Sequence, residues 1–490
     1  MSAITIGLDI GTTGVKGIAL DSGRGLLAQA SRPNSLASPH PGWAEASTAQ
    51  WFDNVIAILE ELTAVLGPDA SRVAAIATTG MVPAVVAVDD CGGALRPAIL
   101  QNDARAAREV AELTEELAER GVLIVTGSPV TQQSVAPTAR WLQRAEPEVW
   151  AQTRALVGSY DWVLQALGAA PHVERNWALE SGLFTIEGER FSPAITAGGL
   201  DDRLAPVVRS GALVGCISAD IAARCGLPAS VVLVAGGADH VLSAYGAGLH
   251  EPGDWLIKLG GAGDILAVSA SPVVDDRFYL DEHPVDGLWL PNGCMATSGS
   301  LVRWVQSVLG EDDLAALDAS AAQRPAADVL CLPYFLGEKS PINDPDLRGV
   351  FAGLHLGHDR HDIYRSALEG IAFGFRHNAE VLRSAGLPLE AATVTNGGST
   401  SMFWKRIHAS VLGIPLRTVK NHPGASLGAA IAAAIAIGAL DDWSEVTRFV
   451  AEGEAVDPDA DLVERYSDAY GLWRDLSANT AGTMRALSRR

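Results

Sequence analysis

The chain has 490 residues, too many for one ordinary core, so two or three domains are expected. Hydrophobic residues make up 48% and charged residues 19%, the balance of a globular protein with large cores. The formal net charge of −22 excludes nucleic acid and anionic membrane as main partners, because such a surface repels both. An anionic ligand must then be gripped by local cations or backbone amides. The five cysteines form no CxxC pair and are odd in number, which argues against a disulfide framework or zinc knuckle and suits a reducing cytoplasm. The start MSAITIGLDIG has no basic segment followed by a long apolar one, and no apolar run reaches transmembrane length. A cytoplasmic location is expected.

In chain order, strands and helices alternate as in an α/β protein. ITIGLDI (4–10) and VKGIALD (15–21) predict two strands around a tight turn. Helical spacing of apolar residues follows over 49–66. AAIATTG (74–80) and AVVAVDD (84–90) predict two more strands, and 104–117 and 137–143 two more helices. VVLVAGGADH (231–240) is a strand running into glycines and an acid. WLIKLGGAGDILAVS (255–269) repeats the opening design of strand, glycine turn and returning strand. Two such hairpins half a chain apart suggest an internal duplication. The expected domains are 1–249 and 250–490, divided at HEPGD (250–254). Residues 425–440, rich in alanine, predict a buried helix, and the charged segment from Asp441 a solvated cap on the second domain.

Four stretches could carry chemistry. Gly11-Thr12-Thr13-Gly14 can turn tightly and bring N–H groups to an anion, with Lys16 adding charge. Asp9 before it can hold magnesium through water, as hard oxygen ligands suit that ion. An ordinary hairpin turn would also favour these residues. Neither GxxxxGK[ST] nor a helix-opening GxGxxG is present. Asp239 stands where a strand meets a glycine-rich edge, suited to a general base or to capping a helix from Val241. His240 beside it is a second base or a structural hydrogen-bonding residue. Gln101-Asn102-Asp103-Ala104-Arg105 offers the directional donors and acceptors a polyol needs, or a loop with Asp103 capping a helix at Ala104. Gly397 and Gly398, before an amphipathic helix, allow a flat ring or ribose to approach the backbone.

Together these pieces resemble the FGGY family of carbohydrate kinases, most closely its xylulokinase-like branch. LDIGTTGVK resembles the family's first phosphate motif, PGWAEASTAQWFDNV its Gly-Trp-x-Glu segment, and LRPAILQNDARA its Asn-Asp-x-Arg segment. VAGGADH is similar to the stretch holding the catalytic aspartate, and LGGAG sits where a second phosphate loop belongs. PYFLGEKSPINDPDLRGVFAGL, GVFAGLHLGHDRHDIYRSALEG (349–370), NGGSTSMFW and GASLGAAIAAAIAIG follow in family order. The resemblance covers roughly nine tenths of the chain.

It implies two duplicated actin-like, ribonuclease-H-like domains with a catalytic cleft between them, sugar mainly on the first and ATP mainly on the second. It makes Asp239 the base that deprotonates the sugar hydroxyl. Asp9, with Asp239, would position magnesium through water. Thr12, Thr13 and Lys16, with Gly11, would approach the transferring phosphate, and Gly260, Gly261 and Gly263 would bracket the nucleotide phosphates. Gly299, Arg303, Gly397, Gly398 and Met402 would lie near the nucleoside. Met81, Val82, Gln101, Asn102, Asp103 and His240 would face the sugar. A homodimer is suggested by the family alone.

Three departures touch this picture. The second loop, usually Gly-Thr-Ser-Gly, reads Gly260-Gly261-Ala262-Gly263, without hydroxyls. Met81-Val82-Pro83 replaces the usual Met-His, and Gln101 the usual Trp. The last two fall on the sugar side and count against xylulose without touching the kinase reading; the resemblance still makes a ketopentose such as xylulose the leading acceptor, with ribulose, erythritol and glycerol as alternatives. A non-kinase, actin-like ATP switch is the reading from another class.

Overall fold

The computed structural model describes residues 2–311, 313–420 and 422–489. Two mixed sheets organise it. The first is built from β1 (Ile4–Ile10), β2 (Gly14–Asp21), β3 (Gly25–Pro33), β4 (Val73–Gly80), β5 (Leu213–Cys216) and β6 (Val232–Ala238), in the order β5-β6-β4-β1-β2-β3. The second is built from β7 (Trp255–Leu259), β8 (Gly263–Ala267), β9 (Tyr279–Glu282), β10 (Trp289–Met295), β11 (Ala392–Thr395), β12 (Leu416–Lys420) and β13 (Ala451–Val456), in the order β9-β10-β8-β7-β11-β12-β13.

The two sheets share a plan, and the internal duplication is visible in it. In each, a hairpin opens the sheet (β1–β2, β7–β8) and an antiparallel strand extends one side (β3, β10). On the other side two strands run parallel to the first: β4 and β6, or β11 and β12. An antiparallel edge strand closes each (β5, β13). Ile4, Ile6, Leu8 and Ile10 alternate along β1 and so bury one of its faces, while the smaller Thr5 and Gly7 lie on the other. Helix α1 (Thr48–Leu66) starts at Ser47, whose side chain accepts from the Gln50 N–H, and buries Trp51, Val55, Ile58 and Leu59.

The other helices needed here are α2 (Arg175–Glu180), α3 (Asp239–Gly246), α4 (Gly299–Leu309), α5 (Arg360–Ser384), α6 (Met402–Leu412), α7 (Ala425–Ala436) and α8 (Ala460–Ser488). Helix α7 is apolar all round and buried from Ala425 to Ala434, as expected of a helix with no solvent face. It crosses to the first sheet. Ala430 and Ile431 pack on Ile18 and Leu20, and Ala429 and Ala433 pack on Ala75, Ala77 and Val234. The Thr5 hydroxyl donates to the Ala430 carbonyl at 2.8 Å.

Four local expectations change. The strand expected over 84–90 shortens to Val86–Val88. The helix after Gln101 begins at Ala107 rather than Ala104, and Asp103 does not cap it. Helix α3 begins at Asp239 itself, not Val241. The segment after Asp441 is more than a solvated cap. Its 3-10 turn (Trp443–Phe449) reaches the first half, where Tyr245 donates to the Trp443 carbonyl at 2.6 Å, and β13 completes the second sheet. Helix α8 closes the second core with Tyr466, Tyr470 and Trp473.

The docking of α7 depends on a residue without a side chain. A Cβ placed on Gly7 would lie 2.0 Å from the Ser426 carbonyl oxygen and 2.6 Å from the Ala430 nitrogen. Both are backbone atoms and cannot swing aside. We therefore expect Gly7→Ala to cost about 3 kcal/mol of stability, the upper end of the usual range for overpacking. Chemical denaturation checks this, and a loss below about 1 kcal/mol would show that α7 can shift freely.

Candidate active site

Because β1 and β6 both run parallel to β4, their C-terminal ends meet at one edge of the first sheet. That edge is where open α/β sheets bind ligands. It carries Asp9, the penultimate residue of β1, and Asp239, which follows β6 as the first residue of α3. Oδ1 of Asp9 is buried with no hydrogen-bond partner. Burial first, and the charge of Asp239 second, push the Asp9 carboxyl up to about 7 against the pull of Lys16 and Lys258. Asp239 moves the other way. Burial opposes its ionisation, but the His240 ring, with Nδ1 3.5 Å from Oδ1, and the charge of Lys258 hold it below the usual carboxylate range.

Three connected cavities lie around these acids. The central one, about 440 Å³, is lined by Asp9, Lys16, Asp239, Lys258, His422 and the start of α7 at Gly424–Ala425. The second, about 650 Å³, is lined by Gly260, Gly261, Gly299, Arg303, Gly398 and Trp404 among others, and shares Gly397 and Thr400 with the central cavity. The third, about 350 Å³, is lined by Met81, Val82, Gln101, Glu180, His240 and Asp281 among others, and shares Asp239 and Lys258 with the central cavity. The second and third have no lining residue in common. The order along the cleft is therefore glycine-rich, central, carboxylate-rich.

The glycine-rich cavity is shaped by close packing. The carbonyls of Gly260 and Gly261 accept from the N–H groups of Gly299 (2.7 Å) and Ser298 (2.8 Å), which ties the β7–β8 turn to the N-terminus of α4. A Cβ on Gly398 would lie 2.3 Å from the Trp404 ring. Gly263 lines none of the three cavities. It is a glycine because a Cβ there would meet the Phe375 ring at 2.7 Å. Met402 also lies off the cavities, packed against the second core at the start of α6.

Several acceptor oxygens in the carboxylate-rich cavity lack a hydrogen-bond partner. Glu180, the last residue of α2, has an unpartnered Oε1, and Asp281 on β9 an unpartnered Oδ1. The other Asp281 oxygen accepts from Asn292 Nδ2 at 2.7 Å and lies 2.7 Å from His240 Nε2. Burial, with Asp281 close by, pushes the Glu180 carboxyl well above its ordinary range. Burial pulls the His240 ring down, but Asp281, Asp239 and Glu180 outweigh it and hold the ring well above the ordinary histidine value. Oε1 of Gln101 is likewise buried and unpartnered.

The sequence-predicted residues divide accordingly. Thr12 lines the carboxylate-rich cavity and Lys16 the central one, whereas Gly11 and the exposed Thr13 line neither. The Gly11 N–H closes the turn on the Gly14 carbonyl at 3.1 Å. Of the Gln101–Arg105 stretch only Gln101 reaches a cavity. Asn102 is exposed, and Asp103 is fully engaged elsewhere. It accepts from the Ala44 N–H at 2.6 Å and pairs with Arg105, which lies 3.8 Å over the Trp43 ring. The acid and guanidinium thus bind the Gly-Trp segment rather than an open cavity. Glu180, Lys258, Asp281, Asn292 and His422 were not expected. Lys258 carried a signal, a lysine inside an otherwise apolar strand.

A two-lobed molecule with a glycine-walled cavity, a central cavity of lysines and acids, and a polar third cavity defines a phosphotransferase of the actin-like class. The chain matches the N-terminal domain of the FGGY family of carbohydrate kinases over residues 4–246 and the C-terminal domain over 264–437. A curated xylulose kinase of Staphylococcus epidermidis is 28% identical over 484 residues, 97% of each chain. That of Escherichia coli K12 is 28% identical over 96% of this chain and 98% of its own. The crystal structure of xylulose kinase from Rhodospirillum rubrum superposes with a TM-score of 0.91 at 42% identity, covering 98% of this chain and 99% of that one. The chain belongs to the FGGY family of carbohydrate kinases and is a sugar kinase that uses ATP. None of its described helices is long and apolar enough to cross a membrane.

One buried acid near the third cavity gives a pH signature. Glu338 Oε1 accepts from the Ala296 N–H at 2.8 Å and the Lys339 N–H at 2.9 Å. Burial nevertheless pushes the carboxyl from its ordinary 4.5 up to about 8. The folded state therefore binds more protons than the unfolded chain between those values, so stability falls as pH rises through that window. In Glu338→Gln the amide oxygen keeps both bonds and does not titrate. We expect its melting temperature, relative to wild type, to rise between pH 5 and pH 9. A difference that is constant across this range would refute the assignment.

Proposed function

We propose that the chain transfers the γ-phosphoryl group of ATP to a hydroxyl of a ketopentose, xylulose foremost. The observation that carries this is the position of Asp239, which lines both the central and the carboxylate-rich cavity. A base must reach the acceptor hydroxyl while that hydroxyl lies beside the phosphoryl group it attacks, so it belongs where the two sites meet. The names of the relatives at 28% and 42% identity support xylulose as the acceptor.

ATP lies with its nucleoside in the glycine-rich cavity, between the Gly260–Gly261 and Gly397–Gly398 backbones, near Arg303. Its phosphates reach the central cavity and Lys16. The sugar occupies the third cavity, where Glu180 Oε1, Asp281 Oδ1 and Gln101 Oε1 await hydroxyl donors. Asp239 takes the proton of the attacking hydroxyl. The freed oxygen bonds to the γ-phosphorus as the bond to the bridging oxygen breaks, and ADP leaves with that electron pair. Magnesium fits beside Asp9, whose buried oxygen has no donor and whose carboxyl gives up its proton reluctantly without a cation. Asp9 would hold the ion, with Asp239 through water, and a bound ion would neutralise phosphate charge.

Release of ADP, followed over a panel of ketoses and polyols, tests the reading. We expect turnover with xylulose, and folded wild-type protein that turns over no sugar or polyol would overturn it. Asp239→Asn should keep its fold and its ADP-induced thermal shift while kcat falls about 10³-fold or more. Near-wild-type turnover would mean that another group is the base. Glu180→Leu should raise the KM for the sugar about ten- to a hundredfold and leave that for ATP unchanged, because it deletes an acceptor from the sugar cavity alone. Equal changes in both constants would place Glu180 outside the sugar site.

A further inference from the structure

The two hairpins that open the sheets carry inverted charges at matching places. In the first, Asp9 stands one residue before the closing pair Ile10–Val15 and faces Lys16 across the strands. In the second, Lys258 stands one residue before the closing pair Leu259–Gly263 and faces Asp264. The duplication thus sets an acid and a lysine opposite a lysine and an acid.

Lys258 is unusual in where it sits. Asp239 and Lys258 are the two residues that line both the central and the carboxylate-rich cavity, one from each sheet. Asp264 lies 3.2 Å from the Lys258 ammonium and takes one of its three donors. After Asp264, the next charge that holds the ammonium protonated is Asp239. The loop that follows Lys258, Gly260-Gly261-Ala262, has no side-chain donor, and the carbonyls of Gly260 and Gly261 are turned to α4. A partly buried lysine–aspartate pair adds little stability by itself, so stability alone gives no reason for a lysine in this apolar strand.

Resting on the kinase reading above, we propose that Lys258 is a catalytic residue whose ammonium binds the phosphoryl group in transit, across from Asp239. Asp264 is its positioning residue. Charge on the moving group spreads over its equatorial oxygens, and a fixed cation there stabilises the transition state more than the bound substrate. Lys258 comes from the second sheet and Asp239 from the first, so both meet the phosphoryl group when the lobes close over it.

Steady-state kinetics on the sugar that wild type turns over best test this. In Lys258→Met we expect kcat to fall about 10²–10³-fold, with both KM values within about fivefold and the ADP-induced thermal shift retained. Lys258→Arg keeps the charge with altered reach and should hold a kcat at least tenfold above Lys258→Met and at least tenfold below wild type. Asp264→Asn should lower kcat less than Lys258→Met does. A Lys258→Met enzyme within fivefold of wild-type kcat overturns the proposal. If Lys258→Met does not fold, Lys258→Arg decides: a structural ion pair predicts wild-type kcat, a phosphoryl grip predicts the tenfold loss at unchanged KM. Wild type that phosphorylates no sugar would sink the kinase reading itself, whereas an active wild type with an equally active Lys258→Met sinks this inference alone.

Discussion

Two carboxylates held close together at one buried sheet edge set the terms for the rest of the molecule. Asp9 and Asp239 are placed there by strands that both run parallel to β4, so neither can retreat from the other. Left alone, a buried acid pair does not ionise fully, and the raised Asp9 carboxyl records that cost. The surroundings supply cations from both halves: Lys16 from the first hairpin, Lys258 from the second, and the His240 ring beside Asp239. The acids come from the first sheet and one lysine from the other, so the electrostatics of the site require both lobes.

The lobes are also tied covalently in an interleaved way. Helix α7 follows β12 of the second sheet, yet it rests on β1, β2, β4 and β6 of the first. Its N-terminus lines the central cavity, within reach of the same edge that carries Asp9. The close approach permitted by Gly7 fixes the helix against β1. A phosphoryl transfer that must exclude water needs lobes that close in one register, not two domains on a loose linker. A shared helix packed through backbone contacts gives that register.

What the sequence made legible follows from how local each signal is. The hairpins, the strand leading to Asp239 and the buried helix within 425–440, which ends at Ala436, were readable because alternation, glycine turns and an all-apolar helix are short-range patterns. The ordered motifs then fixed the fold. Residues placed by tertiary contact were not readable. Glu180 ends a six-residue helix, Asp281 lies on the far strand of the second sheet, and the fold alone brings them to His240. Asp103 and Arg105 look like substrate ligands in sequence but turn out to bind the Trp43 segment, a contact about sixty residues back along the chain. Gly263 sits in a phosphate-loop motif, yet its missing side chain makes room for Phe375 on α5. A motif gives the position of a turn, and the partner that requires the glycine is a matter of packing.

The overall charge sharpens the same point. A protein of net charge −22 repels ATP at long range, so affinity has to come from short-range features. The central cavity gathers them: two lysines on opposed hairpins and the N-terminus of the twelve-residue helix α7, whose first turn carries no acid. The acids of the adjoining cavity do the opposite work. Glu180 and Asp281 each present an oxygen without a hydrogen-bond donor, which a hydroxyl can satisfy. Within one cleft the lining therefore changes at Asp239, from Lys16 and the start of α7 on one side to the acceptor oxygens of Glu180, Asp281 and Gln101 on the other. On the proposed reading that change orients the two substrates, with the phosphoryl group and the hydroxyl on either side of Asp239.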